Sequence, residues 1–289
     1  MNEQTNNILP TNKDNQAIKA IYEMLAQAFP DKNIQREPFT MSTVGHLGFV
    51  NPGTKNIYNA LQKLDRKIRT KSDRENNVEM SDIIQRDFYS RDADLFDVLS
   101  DWSRFAIILP NFECAAEVVE MFLIQFGGKI DIHEREDYQA IHLHTNYKDV
   151  NLEFQFYTKE YAELKKATDI FYHQYNNVVV IKNSQIEDQK RMLEDKIKEH
   201  CKSIYQGSGF IECIPAVKNV YENFKSQNLK THTPKLSHFC EYVKKADMVQ
   251  SELDKFLPTF MEPMNNLETI QNFQQTINKS ENTTTENNL

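Results

Sequence analysis

Leu152-Glu153-Phe154-Gln155-Phe156-Tyr157-Thr158 alternates: Leu152, Phe154 and Phe156 fall on one side, Glu153, Gln155 and Tyr157 on the other. Successive strand side chains emerge on opposite faces, so this period of two predicts a β-strand with one apolar and one polar face. Just upstream, Asp137-Tyr138-Gln139-Ala140-Ile141-His142 reads as part of a neighbouring strand. Together the two stretches gather an aromatic ring, an imidazole, a carboxylate and an amide. A carboxylate and an amide on one open face could hold a metal ion and a polar ligand. The alternative is a sheet edge with a solvated polar face, and the alternation by itself favours it.

Working outward, residues 105–109 form a compact apolar run closed by Pro110, the pattern of a buried strand. Residues 114–126 read as a helix stopped by Gly127-Gly128. Strands follow at 129–133, 140–145 and 152–158, then a helix over 159–175. Strand, helix, several strands and a helix predict an α+β fold, a mixed sheet flanked by helices.

Upstream, a helix over 16–29 carries Ile18, Ile21, Leu25 and Phe29 at helical spacing and ends at Pro30. Residues 31–54 hold Pro38, Gly45, Gly48, Pro52 and Gly53 and read as a connection with little regular structure. A helix over 55–72 follows, with Ile57, Leu61, Leu64 and Ile68 as its apolar stripe. Further helices are expected over 185–205, 216–224 and 242–256. The organisation is therefore a tail over 1–16, a helix and connecting segment over 17–54, a mixed-sheet domain over 55–180, a helical extension over 181–275 and a tail over 276–289. Both tails are rich in Asn, Thr, Gln and Glu without apolar periodicity.

The 289 residues suffice to bury a real core, although only 39% are hydrophobic. A formal charge of −8 argues against non-specific nucleic-acid binding by the whole chain. Cys114, Cys201, Cys213 and Cys240 show neither a CxxC pair nor regular disulfide spacing. The chain opens with no cationic-then-apolar signal pattern, and no run approaches the roughly 18–20 apolar residues of a membrane span. A reducing cytoplasm is the expected setting, with no membrane partner; secretion by a route that needs no signal peptide is also compatible.

Several residues could carry chemistry. Lys63, Lys67 and Lys71 are four apart, with Arg66 and Arg69 beside them and Lys55 two turns earlier. Such a helix face suits a polyphosphate, and Asp65 and Asp73 are the few acids near it. Asp101 precedes the apolar strand and Arg104 lies just inside it, so Asp101 is either a metal ligand beside Glu153 or a turn cap. Tyr138 could stack on a base and His142 could meet a phosphate, or both could simply pack. Cys201, Cys213, His232, His238 and Cys240 match no zinc-finger spacing. Gly207-Ser208-Gly209 lacks the strand and lysine that frame a phosphate cradle and reads as a loop.

Taken in order, these pieces resemble the synthetase domain of the RelA/SpoT family of alarmone-making pyrophosphokinases. Lys55-Asn56-Ile57-Tyr58-Asn59-Ala60-Leu61-Gln62-Lys63-Leu64 is similar to its basic ATP-binding helix, and Asp101-Trp102-Ser103-Arg104-Phe105-Ala106-Ile107-Ile108 to its aspartate-to-arginine strand. Tyr138 and His142 resemble its Tyr-x-x-x-His element, Glu153-Phe154-Gln155 its Glu-x-Gln strand, and His173-Gln174-Tyr175 a histidine and aromatic on its next helix.

The resemblance implies a nucleotidyltransferase-like mixed sheet over about 55–180 with a helical C-terminal extension. It implies Mg²⁺-dependent transfer of pyrophosphate from ATP to a ribose 3′ hydroxyl, with AMP leaving. Lys55, Lys63, Lys67, Arg104 and His142 would contact ATP and phosphates, and Tyr138 and Gln155 the acceptor. Asp101 and Glu153 would hold Mg²⁺, with Glu153 as proton acceptor. The acceptor would be a guanine nucleotide, giving (p)ppGpp in a stringent response, or an adenine nucleotide or tRNA end if the protein is a toxin or effector. A neutralising antitoxin or a second copy of the chain would be its protein partner. No His-Asp dipeptide occurs, so the family's hydrolase activity is not expected.

Three positions depart from the family pattern. Gly53 stands where it has an arginine, Leu99 where it has its metal aspartate, so that Asp101 or Asp97 must substitute, and Tyr157 where the Glu-x-Gln strand continues to an arginine. Each missing guanidinium removes ~2–4 kcal/mol of transition-state stabilisation. That loss favours a rival reading, a catalytically degenerate synthetase acting as a nucleotide- or protein-binding module.

Overall fold

The computed structural model describes residues 41–44, 46–54, 82, 101–136, 138–163, 165, 191–192, 195, 198–199, 201–202, 204–225 and 239–266. Two compact units divide the chain: 1–37, 55–99 and 233–244 form one, and 38–54, 100–232 and 245–289 the other. In the first unit the described residues are Asp82, helical and exposed, and the opening of the helix Phe239–Met261, where Tyr242 and Val243 are buried. The helices expected over 16–29 and 55–72, and with them Lys55, Lys63 and Lys67, lie outside the described residues.

The second unit is built on a six-stranded mixed sheet. Its strands are β1 (Met41–Val44), β2 (Leu47–Val50), β3 (Ser103–Leu109), β4 (Lys129–Arg135), β5 (Tyr138–Tyr147) and β6 (Val150–Thr158), in the spatial order β1-β2-β3-β6-β5-β4. β3 and β6 run parallel, and every other neighbouring pair is antiparallel. A parallel pair needs a long crossover. Here α1 (Ala115–Phe126), β4 and β5 provide it between β3 and β6. This is the α+β fold expected from the order of elements.

The alternation in β6 sorts the core. Phe154 and Phe156 share a face with their β3 partners Phe105 and Ile107 and with Leu143 and Ile141 of β5. α1 covers that face because Ala115, Val118, Val119, Phe122 and Phe126 recur at three- and four-residue spacing and are all buried. The Phe122 ring meets Phe154 edge-on at 5.0 Å and Phe156 at 5.2 Å. Phe256 and Phe260 of α3 (Phe239–Met261) close over Phe126 and Phe122. α2 (Phe210–Phe224) docks against α1 and β4, and its Phe210 packs edge-on against Phe112 at 5.2 Å. No helix among the described residues is long and apolar enough to cross a membrane.

Two sequence expectations change. The segment expected to have little regular structure holds β1 and β2, a hairpin whose Val44↔Leu47 register leaves a two-residue connection. Its four-residue strands are too short for the alternation to stand out among Gly and Pro, yet pairing Gly48 and Val50 with Ile108 and Ala106 of β3 holds them in the sheet. The second change concerns β6, which is no sheet edge. It lies between β3 and β5, and all nine of its residues are buried. Helix ends differ less: α2 begins at Phe210 rather than 216, led by Gly207-Ser208-Gly209, where Ser208 Oγ accepts from the Phe210 N–H at 3.2 Å. That tripeptide is a loop ahead of a helix, as expected.

Phe122 has no exposed surface and touches four other rings, so Phe122→Ala opens a cavity between α1 and β6. The expected loss is ~3–5 kcal/mol of unfolding free energy, read as a shifted urea midpoint with unchanged slope. A loss under ~1 kcal/mol would mean that α1 does not close this core.

Candidate functional site

The polar face of β6 is as dry as its apolar face: Glu153, Gln155 and Tyr157 are each 6% exposed. The β5–β6 register sets what lies beside them. Lys148 and Asp149 form the connecting turn with φ of 51° and 59°. A two-residue turn with both residues left-handed matches the twist of the flanking strands. From that turn the pairing runs back through Tyr147↔Val150 to His144↔Glu153 and His142↔Gln155. On the outer side of β5, Lys129 and Asp131 of β4 stand opposite His144 and His142. On the inner side Arg104 of β3 stands beside Glu153. Paired residues share a face, so one surface carries Arg104, Glu153, Gln155, His142, His144, Asp131 and Lys129, buried at Glu153, Gln155 and His142 and opening to solvent toward Lys129.

The Glu153 carboxylate has two different environments. One oxygen, Oε1, accepts a short hydrogen bond from the Gln155 amide. Gln155 Oε1 in turn accepts from Lys165 Nζ at 2.6 Å and from Tyr157 Oη at 3.2 Å. The other oxygen, Oε2, faces His142 Nδ1 and His144 Nδ1, each at 3.7 Å. That is too long for a hydrogen bond. The far nitrogen of each ring already has an oxygen partner. Tyr138 Oη lies 2.7 Å from His142 Nε2, and Asp131 Oδ2 lies 3.5 Å from His144 Nε2. Lys129 Nζ holds the other oxygen of Asp131 at 2.9 Å.

Burial shapes the charge states. Desolvation first, then His133, Lys165 and His144, hold the His142 imidazole well below the usual histidine range, so it is neutral. Desolvation likewise lowers His133, whose ring centroid is 4.5 Å from that of His142. Burial works to raise the Asp131 carboxyl, but the Lys129 ammonium and the nearby imidazoles outweigh it and leave it lowered. Burial pushes the Tyr138 hydroxyl far up, so it stays protonated. Its ring lies under the Arg135 guanidinium, 5.6 Å from the centroid.

Among the expected site residues, the structure gathers Tyr138, His142, Glu153 and Gln155, with Arg104 in register beside them. Asp101 sits in a turn just ahead of β3. Among the described residues, the groups able to share an ion around Glu153 are His142 and His144, without Asp101. Mg²⁺ takes an oxygen shell and keeps much of its water. Two imidazole nitrogens beside one carboxylate do not fit a resident Mg²⁺.

The three departures can now be placed in part. Gly53 has φ 66°, and its N–H donates to Asn51 Oδ1 at 2.8 Å in a tight turn that an arginine would strain. Tyr157 is buried, and Lys165 from the following helix puts its ammonium 5.4 Å from that ring. Leu99 lies outside the described residues.

His144, His133, Asp131 and Lys165 join the site without having been singled out from the sequence. The first three were legible: Lys129, Asp131 and His133 alternate with Ile130 and Ile132, and His142 and His144 are two apart. Lys165 is placed by tertiary packing alone. Gly128 also has a positional role, because a Cβ there would collide with the His144 carbonyl and its φ is 121°.

Cysteine supplies none of the metal-ligand group found among the described residues. Cys114, Cys201 and Cys213 are buried and form no disulfide; His232, His238 and the side chain of Cys240 lie outside the described residues. No protein-family model matches the chain, and no curated protein is significantly similar to it. Among solved structures, a GTP pyrophosphokinase family protein from Streptococcus pneumoniae is 13% identical, over 71% of this chain and 93% of that one, with a TM-score of 0.25. So low a score carries no argument.

Burial pushes the Cys114 thiol up to about 11 and the Cys213 thiol up to about 12. At about pH 8 neither should supply thiolate, the reactive form. Iodoacetamide should therefore leave both peptides unmodified in the folded chain and label both after denaturation, as read by mass spectrometry. Rapid labelling of either in the native protein would contradict the packing around α1 and α2.

Proposed function

We propose that the chain is a RelA/SpoT-like nucleotide pyrophosphokinase acting in the cytoplasm. The observation that carries this reading is Glu153, a buried carboxylate with one oxygen held by Gln155 and the other facing His142 and His144 without a hydrogen bond. The resemblance of the Tyr138–His142 and Glu153–Gln155 elements to the synthetase pattern supports it. A general base needs a fixed orientation and an acceptor oxygen within reach of the proton it takes.

In this reading ATP enters with its own Mg²⁺ as substrate. The acceptor's 3′ hydroxyl oxygen attacks the β-phosphorus, and the bond from that phosphorus to the α–β bridging oxygen breaks. AMP leaves with the electron pair, and the hydroxyl proton passes to Glu153. Arg104, in register beside Glu153, and Lys165, on Gln155, supply positive charge on this face. Lys165 thus offers a cation near the position where the family pattern has arginine and this chain has Tyr157. Lys55, Lys63 and Lys67 are assigned to the ATP phosphates on the sequence resemblance alone. Tyr138 and Gln155 are assigned to the acceptor. His142 is neutral, so it would act on a phosphate as a hydrogen-bonding group and not as a cation.

Purified full-length chain incubated with γ-labelled ATP, Mg²⁺ and a panel of GDP, GTP, AMP, ADP and total tRNA should label one acceptor. Glu153→Gln should lower that transfer by ~10²–10⁴-fold while leaving the fold intact by circular dichroism. The turn that fixes Gly53 and removes one family guanidinium favours a second reading, nucleotide binding without transfer. Nucleotide binding with no labelled acceptor anywhere in the panel would establish that second reading and end the first.

A further inference from the structure

We infer that His142, His144 and Glu153 form a binding site for a divalent first-row transition ion of the Zn²⁺ class, with at least one coordination position left open. One ring nitrogen of His142, one of His144 and a Glu153 oxygen all lie within 4.8 Å of one another. Both Nδ1 atoms stand 3.7 Å from the same oxygen, Oε2. Two ligand atoms bonded at ~2.0–2.1 Å to one tetrahedral ion stand ~3.3–3.5 Å apart. The observed spacing is therefore too wide for hydrogen bonds and close to that of atoms sharing an ion, reachable by small ring rotations.

The outer contacts point the same way. A histidine that ligates through one nitrogen gives its other N–H to an oxygen, commonly a carboxylate, which fixes the tautomer and aims the lone pair. Both rings have an oxygen placed for this role, Tyr138 Oη 2.7 Å from His142 Nε2 and Asp131 Oδ2 3.5 Å from His144 Nε2. With each ring proton on Nε2, both Nδ1 lone pairs would face Glu153 Oε2. The Asp131 carboxylate is itself held by Lys129, so the second layer is anchored. A purely structural network of the same residues would turn an Nδ1–H toward Glu153 and close to hydrogen-bond distance.

Imidazole with a single carboxylate suits Zn²⁺, Fe²⁺ or Co²⁺ far better than Mg²⁺ or Ca²⁺. Two histidines and one glutamate are also a ligand set that leaves room for water or a ligand oxygen. Access exists from the His144 side, whose side chain is 23% exposed against 8% for His142. The inference does not depend on pyrophosphate transfer. The transfer reading uses Glu153 and not His144 or Asp131, so variants at those two positions separate the proposals.

The test uses tag-free full-length protein, stripped with chelator and titrated with Co²⁺ while ligand-field absorption is followed. Saturable visible bands that survive excess Mg²⁺ and yield to Zn²⁺ are expected. His144→Ala should abolish them, and Asp131→Asn should weaken Co²⁺ binding by ~10–100-fold. Imidazole ¹⁵N NMR of the unmutated chain guards against a variant that fails to fold, since Zn²⁺ should shift the Nδ1 resonances of two histidines. Absence of bands, bands displaced by Mg²⁺, Co²⁺ binding unchanged in folded His144→Ala, or imidazoles that Zn²⁺ leaves unmoved would each overturn the site. Absence of transfer in the unmutated chain with Co²⁺ binding intact would count against the transferase alone.

Discussion

The register of the β5–β6 hairpin is the constraint on which the rest depends. The two-residue turn at Lys148-Asp149 pairs Tyr147 with Val150, and every later pair follows from that count. A slip of one residue would carry Glu153 and Gln155 into the phenylalanine core and turn Phe154 onto the polar face. Phe154 and Phe156 sit under Phe122 and Phe126, so the apolar face enforces the same register that the turn specifies. The ion pairs at the turn, Lys148 with Glu252 and Lys245 with Asp149, are solvent-exposed and add little beyond pinning it to α3. Core packing thereby fixes the positions of the chemical groups.

A strand buried on both faces normally reads as a continuous apolar run. β6 instead keeps strict alternation at the centre of the sheet, and this is why its reading from sequence was half right. Period two gave the strand and its faces correctly, because Leu152, Phe154 and Phe156 do face the core. It could not tell a solvated polar face from a buried one, since alternation reports chemistry and not what covers it. The same limit hid β1 and β2, whose four-residue strands owe their place to β3. Helix α1 was legible because its apolar spacing and its Gly127-Gly128 stop agree, with the Gly127 N–H bonded back to Leu123 O at 2.8 Å.

The candidate site divides along similar lines. Tyr138, His142, Glu153 and Gln155 were found because they belong to short elements that resemble a known pattern, and the hairpin does bring them together. His144 and Asp131 carry no such pattern, although both lie on the right face by simple counting. Asp101 was assigned to the metal through its place in a motif. The register places Arg104, three residues later, beside Glu153, and among the described residues the groups close enough to Glu153 to share an ion with it are imidazoles of the neighbouring strand. Motif order in a sequence constrains which strands meet, while the turn decides which residues on them do.

The energetics of the buried face bear on why it exists at all. A carboxylate, three imidazoles, an amide and two phenols inside a sheet are not needed for stability. Apolar side chains of similar volume stabilise such positions as well or better, because removing charges from water costs more than their mutual attraction commonly returns. Each group must then be held by a partner, and the chain does so in series: Lys165 and Tyr157 on Gln155, Gln155 on Glu153, Tyr138 on His142, and Lys129 on Asp131 beside His144. The series stops at one point. Glu153 Oε2 and two Nδ1 atoms face each other at 3.7 Å, beyond hydrogen-bond distance. A network this costly to bury, with a carboxylate oxygen and two imidazoles converging at its centre, is the physical argument for reading the face as serving chemistry rather than folding.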